Sequence, residues 1–214
     1  MAKSGSLSIN SENIFPIIKK WLYSDHDIFY RELVSNGCDA ITKLTKLALM
    51  GEYEEPEGVS YKVDVVVDPK EKTIRITDNG LGMTEEEVEE YINQIAFSGA
   101  QDFLNKYKDK ANEDQIIGHF GLGFYSAFMV ADLITVKSKV CGSDEAWQWQ
   151  SSGVDGYTVE PCEKAEAGTE IILHLRDDND DEKYSEYLDE YRIRELIRKY
   201  CDYIRYPIKM EVEE

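Results

Sequence analysis

Four strand-like runs follow one another late in the chain: Leu133–Val140, Ala146–Gln150, Tyr157–Glu160 and Thr169–Leu175. The connections between them are shorter than the dozen or so residues that a parallel crossover needs. Hairpin-linked, mostly antiparallel strands are the consequence. Tyr61–Val67 and Thr73–Thr77 also alternate as paired strands, with Asp68-Pro69-Lys70-Glu71 as their turn. Leu7-Ser8-Ile9 reads as a short strand, and Pro207–Val212 as a final one. Ile14, Ile17, Ile18, Trp21 and Leu22 recur at helical spacing, with Pro16 in the first turn. Ser24 or Asp25 caps a second helix that runs to about Met50. Thr84 opens an acidic helix, Glu85–Tyr91, and Phe124–Val130 reads as an apolar one. A last helix, Glu186–Tyr203, turns Leu188, Tyr191, Ile193, Leu196 and Ile197 inward. Regular β-α-β alternation is absent. The pattern predicts an α+β fold: a two-layer sandwich whose mixed, mostly antiparallel sheet is covered by helices on one face.

Charge narrows the ligand classes. The 214 residues carry 24 Lys and Arg against 43 Asp and Glu, a formal net charge of −19. Phosphate contacts to nucleic acid need a basic surplus, so the charge argues against general nucleic-acid binding and against docking on anionic lipid. The stretch Phe124 to Ile134 contains Ser126 and Asp132 and is too short to span a bilayer. The amino-terminal residues have no apolar core of a signal peptide. Cys38, Cys141, Cys162 and Cys201 are scattered, with no C-x-x-C pair and no nearby histidine. That argues for reduced thiols in the cytoplasm rather than a zinc site or disulfide framework.

Three constellations carry possible chemistry. Glu32, Asn36 and Asp39 stand at i, i+4 and i+7, on one stripe of a helix. A carboxylate there can take a proton from water, and an amide oxygen suits Mg²⁺. The same stripe also fits a solvated helix face. Asp78-Asn79-Gly80-Leu81-Gly82-Met83 follows a strand directly. It has ordinary turn chemistry, but also the makings of a purine pocket. A strand-end carboxylate accepts from an exocyclic amino group, a glycine admits a flat ring, and Met83 offers a deformable wall. Gly118-His119-Phe120-Gly121-Leu122-Gly123 places glycines at i, i+3 and i+5 before an apolar run. Backbone N–H groups there can cradle phosphate, and a flexible connection is the plainer alternative. The order is neither the dinucleotide fingerprint nor a P-loop.

Taken in sequence, the three are restrictive. The whole pattern resembles the ATP-binding fold of DNA gyrase B subunits, heat-shock chaperones, histidine kinases and MutL mismatch-repair proteins. Within that group, Tyr30-Arg31-Glu32-Leu33-Val34-Ser35-Asn36-Gly37-Cys38-Asp39-Ala40 resembles the heat shock protein 90 family, in its bacterial branch. Asp78 to Thr84, Ile95-Ala96 before Ser98-Gly99, Gly118 to Ser126 and Tyr206-Pro207-Ile208 extend the resemblance over essentially the whole chain.

The resemblance implies a Bergerat-type ATPase domain spanning residues 1–214, with an ATP lid at about 92–120. It implies ATP or ADP as ligand and Mg²⁺ as cofactor. Glu32 would be the general base, and Asn36 would hold Mg²⁺. Asp78 would accept from the adenine amino group, with Gly82 and Thr169 completing that network. Asp39 and Met83 would line the nucleoside pocket. Gly118, Phe120, Gly121, Leu122, Gly123 and Phe124 would wrap the phosphates. Tyr91 and Phe97 stand where many relatives carry Asn and Lys, so neither usual role is carried over. Cys38 reads as a packed, inert thiol, and His119 as a loop residue. The family's middle and carboxy-terminal dimerisation domains have no counterpart here, nor has the middle-domain arginine that meets the γ-phosphate. The expectation is therefore an isolated amino-terminal domain, monomeric alone and dimeric as full-length chaperone, acting on client proteins and hydrolysing ATP weakly. The alternatives are a nucleotide-gated binding module with little hydrolysis, and a DNA-handling ATPase of the gyrase or mismatch-repair branch. The acidic surplus opposes the second of these, and no phosphoacceptor helical pair points to a histidine kinase.

Overall fold

A computed structural model describes residues 3–5, 26–90, 123–153, 156–201 and 204–213. Among the described residues eight strands form one sheet. They are β1 (Lys3–Gly5), β2 (Val63–Asp68), β3 (Thr73–Asp78), β4 (Ala131–Lys139), β5 (Ala146–Ser151), β6 (Tyr157–Cys162), β7 (Gly168–Leu175) and β8 (Ile208–Val212). Their order across the sheet is β1-β6-β5-β4-β7-β3-β2-β8. All neighbours are antiparallel except β2 and β8, which run parallel. The sheet is thus mixed and mostly antiparallel, as the short connections predict. In the β2–β3 hairpin, Asp68 Oδ1 accepts the Lys70 and Glu71 N–H groups.

Helix α1 (Ile28–Leu49) packs on β2 and β3, and α2 (Glu190–Cys201) packs beside it. Its apolar face buries Phe29, Leu33, Val34, Ile41 and Leu44. Val63, Val65 and Val67 of β2 alternate with half-buried neighbours, so one face of the strand meets this core. Ile193 and Leu196 of α2 are fully buried in the same cluster. Phe124, Phe128 and Trp149 meet edge to face, and Tyr157 stacks on Trp149. Among the described residues no helix is long and apolar enough to cross a membrane.

Several elements differ from the sequence expectation. The apolar helix after Gly123 is a tight 3₁₀ segment, Phe124–Met129. The Ser126 N–H and its Oγ both donate to Gly123 O, which closes a three-residue turn. The last helix begins later than Glu186. A 3₁₀ segment, Tyr184–Leu188, precedes α2, and Asp189 between them is extended. Asp189 Oδ1 accepts the Arg192 N–H, so a carboxylate cap starts the helix there. Asp27 occupies the cap position of α1 but makes no side-chain cap bond. The carboxylate turns instead to Tyr187, Arg192 and Lys199. Thr84 and Glu87 do form a reciprocal capping box before the helical residues 85–90.

The expected strand at 7–9, the expected helix at 14–22 and its neighbours Ser24 and Asp25 lie outside the described residues. So do Tyr91, Phe97, the expected lid at 92–120, and Gly118, His119, Phe120, Gly121 and Leu122.

Candidate functional site

Helix α1 brings two sequence constellations together. At its amino-terminal half stands Glu32, with its side chain 13% exposed. Arg31 Nε and Nη2 donate to Glu32 Oε1 at 3.2 and 3.1 Å. Gly123 lies against the other side of that carboxylate, where a β-carbon would meet Oε2 at 2.3 Å. Only a residue without a side chain permits this approach, so the last glycine of the glycine-rich run sits on the stripe residue Glu32. Asn36 follows one turn along and is half-buried, while Asp39 is exposed. Phe124 is buried in the aromatic cluster, so its ring belongs to the core and only its backbone is available to a ligand.

Further along the helix, Gly37 lies over the end of β3, and a β-carbon on it would stand 3.2 Å from Asp78 Cβ. Asp78 is the last residue of β3 and is only 7% exposed. Oδ1 accepts the Gly80 N–H at 2.9 Å. Burial pushes its carboxyl up to about 6, against the stabilising backbone N–H groups of Gly80 and Thr169 and the more distant Lys164 charge. Among the described residues no side chain donates to it. A buried carboxylate with acceptor capacity left over is the least ordinary feature of this surface.

The turn after Asp78 divides by role. Asn79 is structural: Oδ1 accepts the Lys62 N–H and Nδ2 donates to Ser60 O, both at 2.9 Å. Gly82 has φ +73°, and a β-carbon there would lie 1.9 Å from Lys139 O. No other residue fits that position without moving the backbone. Met83 is partly buried against the core. Cys38 is half-buried beside this region. Burial, with the Asp39 and Asp78 charges behind it, pushes its thiol up to about 11, which keeps it protonated and unreactive.

Register completes the arrangement. Asp78 of β3 pairs with Thr169 of β7, and Thr169 pairs with Ser138 of β4. Directly opposed residues share a face. Ser138 Oγ and Thr169 Oγ1 are 2.8 Å apart, and the Met83 N–H donates to Ser138 Oγ at 2.9 Å. Sequence reasoning found Thr169 but missed Ser138. The available signal was the inward alternation Ile134, Val136, Ser138, which sets a hydroxyl where an apolar residue is due.

Thus α1 carries Glu32 and Asn36 and has Gly123 against Glu32 and the end of β3, at Asp78, against Gly37, while Thr169 of β7 pairs with Asp78 and the turn after β3 holds Gly82 and Met83. Known proteins match the same segment. The Chaperone protein HtpG of Porphyromonas gingivalis strain W83 is 50% identical over 209 residues, 97% of this chain and 29% of that protein. That of Bacteroides thetaiotaomicron is 50% identical over 207 residues, covering 96% and 29%. That of Bacillus subtilis strain 168 is 45% identical over 211 residues, covering 99% and 33%. The chain therefore spans about a third or less of the length of these curated relatives. A family model described as "Histidine kinase-, DNA gyrase B-, and HSP90-like ATPase" matches residues 30–174. That match takes in more than half of the chain and runs from the helix bearing Glu32 to the strand bearing Thr169, and on it the chain belongs to the histidine kinase-, DNA gyrase B- and HSP90-like ATPase family.

Proposed function

We propose that this chain is the nucleotide-binding domain of a heat shock protein 90 type chaperone, that it binds ATP or ADP, and that it hydrolyses ATP with Glu32 as general base. The observation that carries the reading is Asp78, buried at 7% exposure with backbone N–H groups as its donors and no side-chain donor among the described residues. An exocyclic amino group supplies the missing donor and offsets part of the cost of burying the charge. Gly82 admits the flat ring, Thr169 contributes a hydroxyl beside Asp78, and Met83 and Asp39 border the nucleoside.

Glu32 lies five residues before Gly37, roughly 7.5 Å along the helix axis at about 1.5 Å per residue. The two carboxylates therefore meet different parts of a ligand laid along α1: Asp78 the base, Glu32 the water beside the terminal phosphate. Gly118, Phe120, Gly121, Leu122, Gly123 and the Phe124 backbone wrap the phosphates in this reading, and residues 92–120 close over them as a lid. Among the described residues no group of three or more His, Cys, Asp or Glu forms a metal cage. Mg²⁺ suits the donor set that remains, with the Asn36 amide oxygen as a single protein ligand and phosphate and water oxygens as the rest. The ion would offset phosphate charge when bound.

The longer relatives are named as chaperones, and this chain matches only part of them. Client binding, dimerisation and full ATPase rate are accordingly assigned to segments beyond this domain, which alone is a weak, monomeric ATPase. The free thiols Cys38, Cys141 and Cys162 accord with the cytoplasm. A second reading, a nucleotide-gated binding module with little hydrolysis, draws on the Arg31–Glu32 pair, which engages one oxygen of the proposed base. Glu32→Ala separates the two. With a catalytic Glu32, calorimetry gives retained ADP binding while phosphate release disappears. Unchanged phosphate release would remove Glu32 from the mechanism and leave the binding module.

A further inference from the structure

Ser138 is fully buried, uncharged and distant in sequence from every motif of the site. Its hydroxyl has one proton and two lone pairs to place. The Met83 N–H takes one lone pair, at 2.9 Å. Among the described residues two acceptors compete for the proton: Thr169 Oγ1 at 2.8 Å and Gly168 O at 3.4 Å. A hydroxyl donor prefers about 2.7–2.8 Å, so the proton goes to Thr169. Thr169 then cannot return its own proton along the same line. No hydrogen bond joins its hydroxyl to the neighbouring Asp78 carboxylate, which accepts the Gly80 N–H. Among the described residues no other acceptor takes the Thr169 proton, which is left for a ligand. The face therefore offers an acceptor, Asp78, beside a donor, Thr169. A 6-aminopurine presents the complement, an amino donor beside an unprotonated ring nitrogen. A 6-oxopurine presents an oxygen beside a ring N–H and meets both groups the wrong way round.

We infer that Ser138 is a positioning residue for base recognition: by donating to Thr169 it fixes the Thr169 hydroxyl as a donor toward the ligand, and so selects a 6-aminopurine over a 6-oxopurine. The inference rests on the reading of Asp78 as the base acceptor. It adds a residue outside the three motifs and a reason for the polarity of the network.

The test is calorimetric titration of wild type, Ser138→Ala and Ser138→Thr with ATP and with GTP, alongside thermal melting without ligand. Removing the hydroxyl frees Thr169 to rotate and leaves the Met83 N–H unpaired. The expected result is about a tenfold loss of ATP affinity in Ser138→Ala with little change for GTP, so that discrimination falls by about the same factor. Ser138→Thr keeps the hydroxyl and restores the wild-type ratio. If Ser138→Ala fails to fold, Ser138→Cys keeps the volume with a weak thiol donor, and the same loss of discrimination is expected. A lower melting temperature with an unchanged ATP to GTP ratio would reduce Ser138 to a structural residue and overturn the inference alone. So would failure of Ser138→Thr to restore the ratio. Absence of ATP binding by wild type would overturn the underlying reading, and the inference with it.

Discussion

Gly123 packs so closely on Glu32 that a β-carbon at Gly123 would stand 2.3 Å from Glu32 Oε2 and 2.9 Å from its Cβ and Cγ. The tip of a glutamate swings away at little cost, but its Cβ cannot. Gly123→Ala therefore turns the Glu32 carboxylate out of line. With Glu32 as the proposed general base, its misplacement costs rate far more than affinity. We expect kcat to fall about tenfold or more, with ADP affinity kept within about threefold. Phosphate release measured beside calorimetry checks this, and equal losses in both would contradict it.

If Asp78 receives the base as proposed, its elevated carboxyl makes that recognition depend on pH. An amino donor needs the ionised acceptor, and ionisation is centred at about 6. Adenosine isolates the effect because no phosphate titrates in that range. Its affinity is expected to fall about tenfold between pH 7.5 and pH 5. A flat profile over this window, followed by calorimetry or by competition with a fluorescent nucleotide, would mean that Asp78 does not face the base.

The same shift has the opposite sign for the free protein. Asp78 holds its proton more tightly folded, at about 6, than at its ordinary 3.8. The folded state binds more protons between those values, so this stability contribution is present below pH 3.8 and is lost as pH rises through about 6. Asp78→Asn removes the buried charge. At pH 7.5 it is expected to gain up to roughly 3 kcal/mol in stability, and at pH 4 almost nothing. Thermal melts at the two pH values test this; an equal gain at both would exclude the carboxylate as its cause. On this reading the wild-type residue costs stability in a position where the proposed ligand would need it.

Asp27 gives a contrasting case. It is 5% exposed and joins the start of α1 to the segment before α2 and to α2 itself. Oδ1 accepts from Arg192 Nη2 at 2.8 Å and from the Tyr187 hydroxyl at 3.2 Å, with Lys199 Nζ at 3.5 Å from Oδ2. Asp27→Ala strands those donors. Because Arg192 remains partly exposed, the expected loss is about 2 kcal/mol in urea melts rather than the full cost of a buried pair. ADP affinity is expected to stay unchanged in calorimetry, since among the described residues no Asp27 contact reaches the site.

What the sequence revealed follows from how local each feature is. The Glu32–Asn36–Asp39 stripe and the Asp78–Met83 turn are written in consecutive or helically spaced residues, and short connections dictated the antiparallel sheet. Ser138 owes its place to register across three strands, which no local pattern encodes. Asp189 looked like part of a continuous amphipathic helix, because an acidic residue suits both an exposed face and a cap; its bond to the Arg192 N–H decides the matter. Phe124–Met129 has helical composition, but the Ser126 bonds to Gly123 O tighten it into a 3₁₀ turn. Asp27, which no local pattern singled out, stands at the cap position of α1, and long-range partners claim its carboxylate.

In the proposed function, buried Asp78 waits for the amino group of a purine. Calorimetric titration of wild type and Asp78→Asn with ADP at pH 7.5, on samples first shown to melt cooperatively, tests it most directly. Wild type is expected to bind, and the folded, equally or more stable variant to give no measurable heat. Unaltered ADP affinity in Asp78→Asn would contradict it.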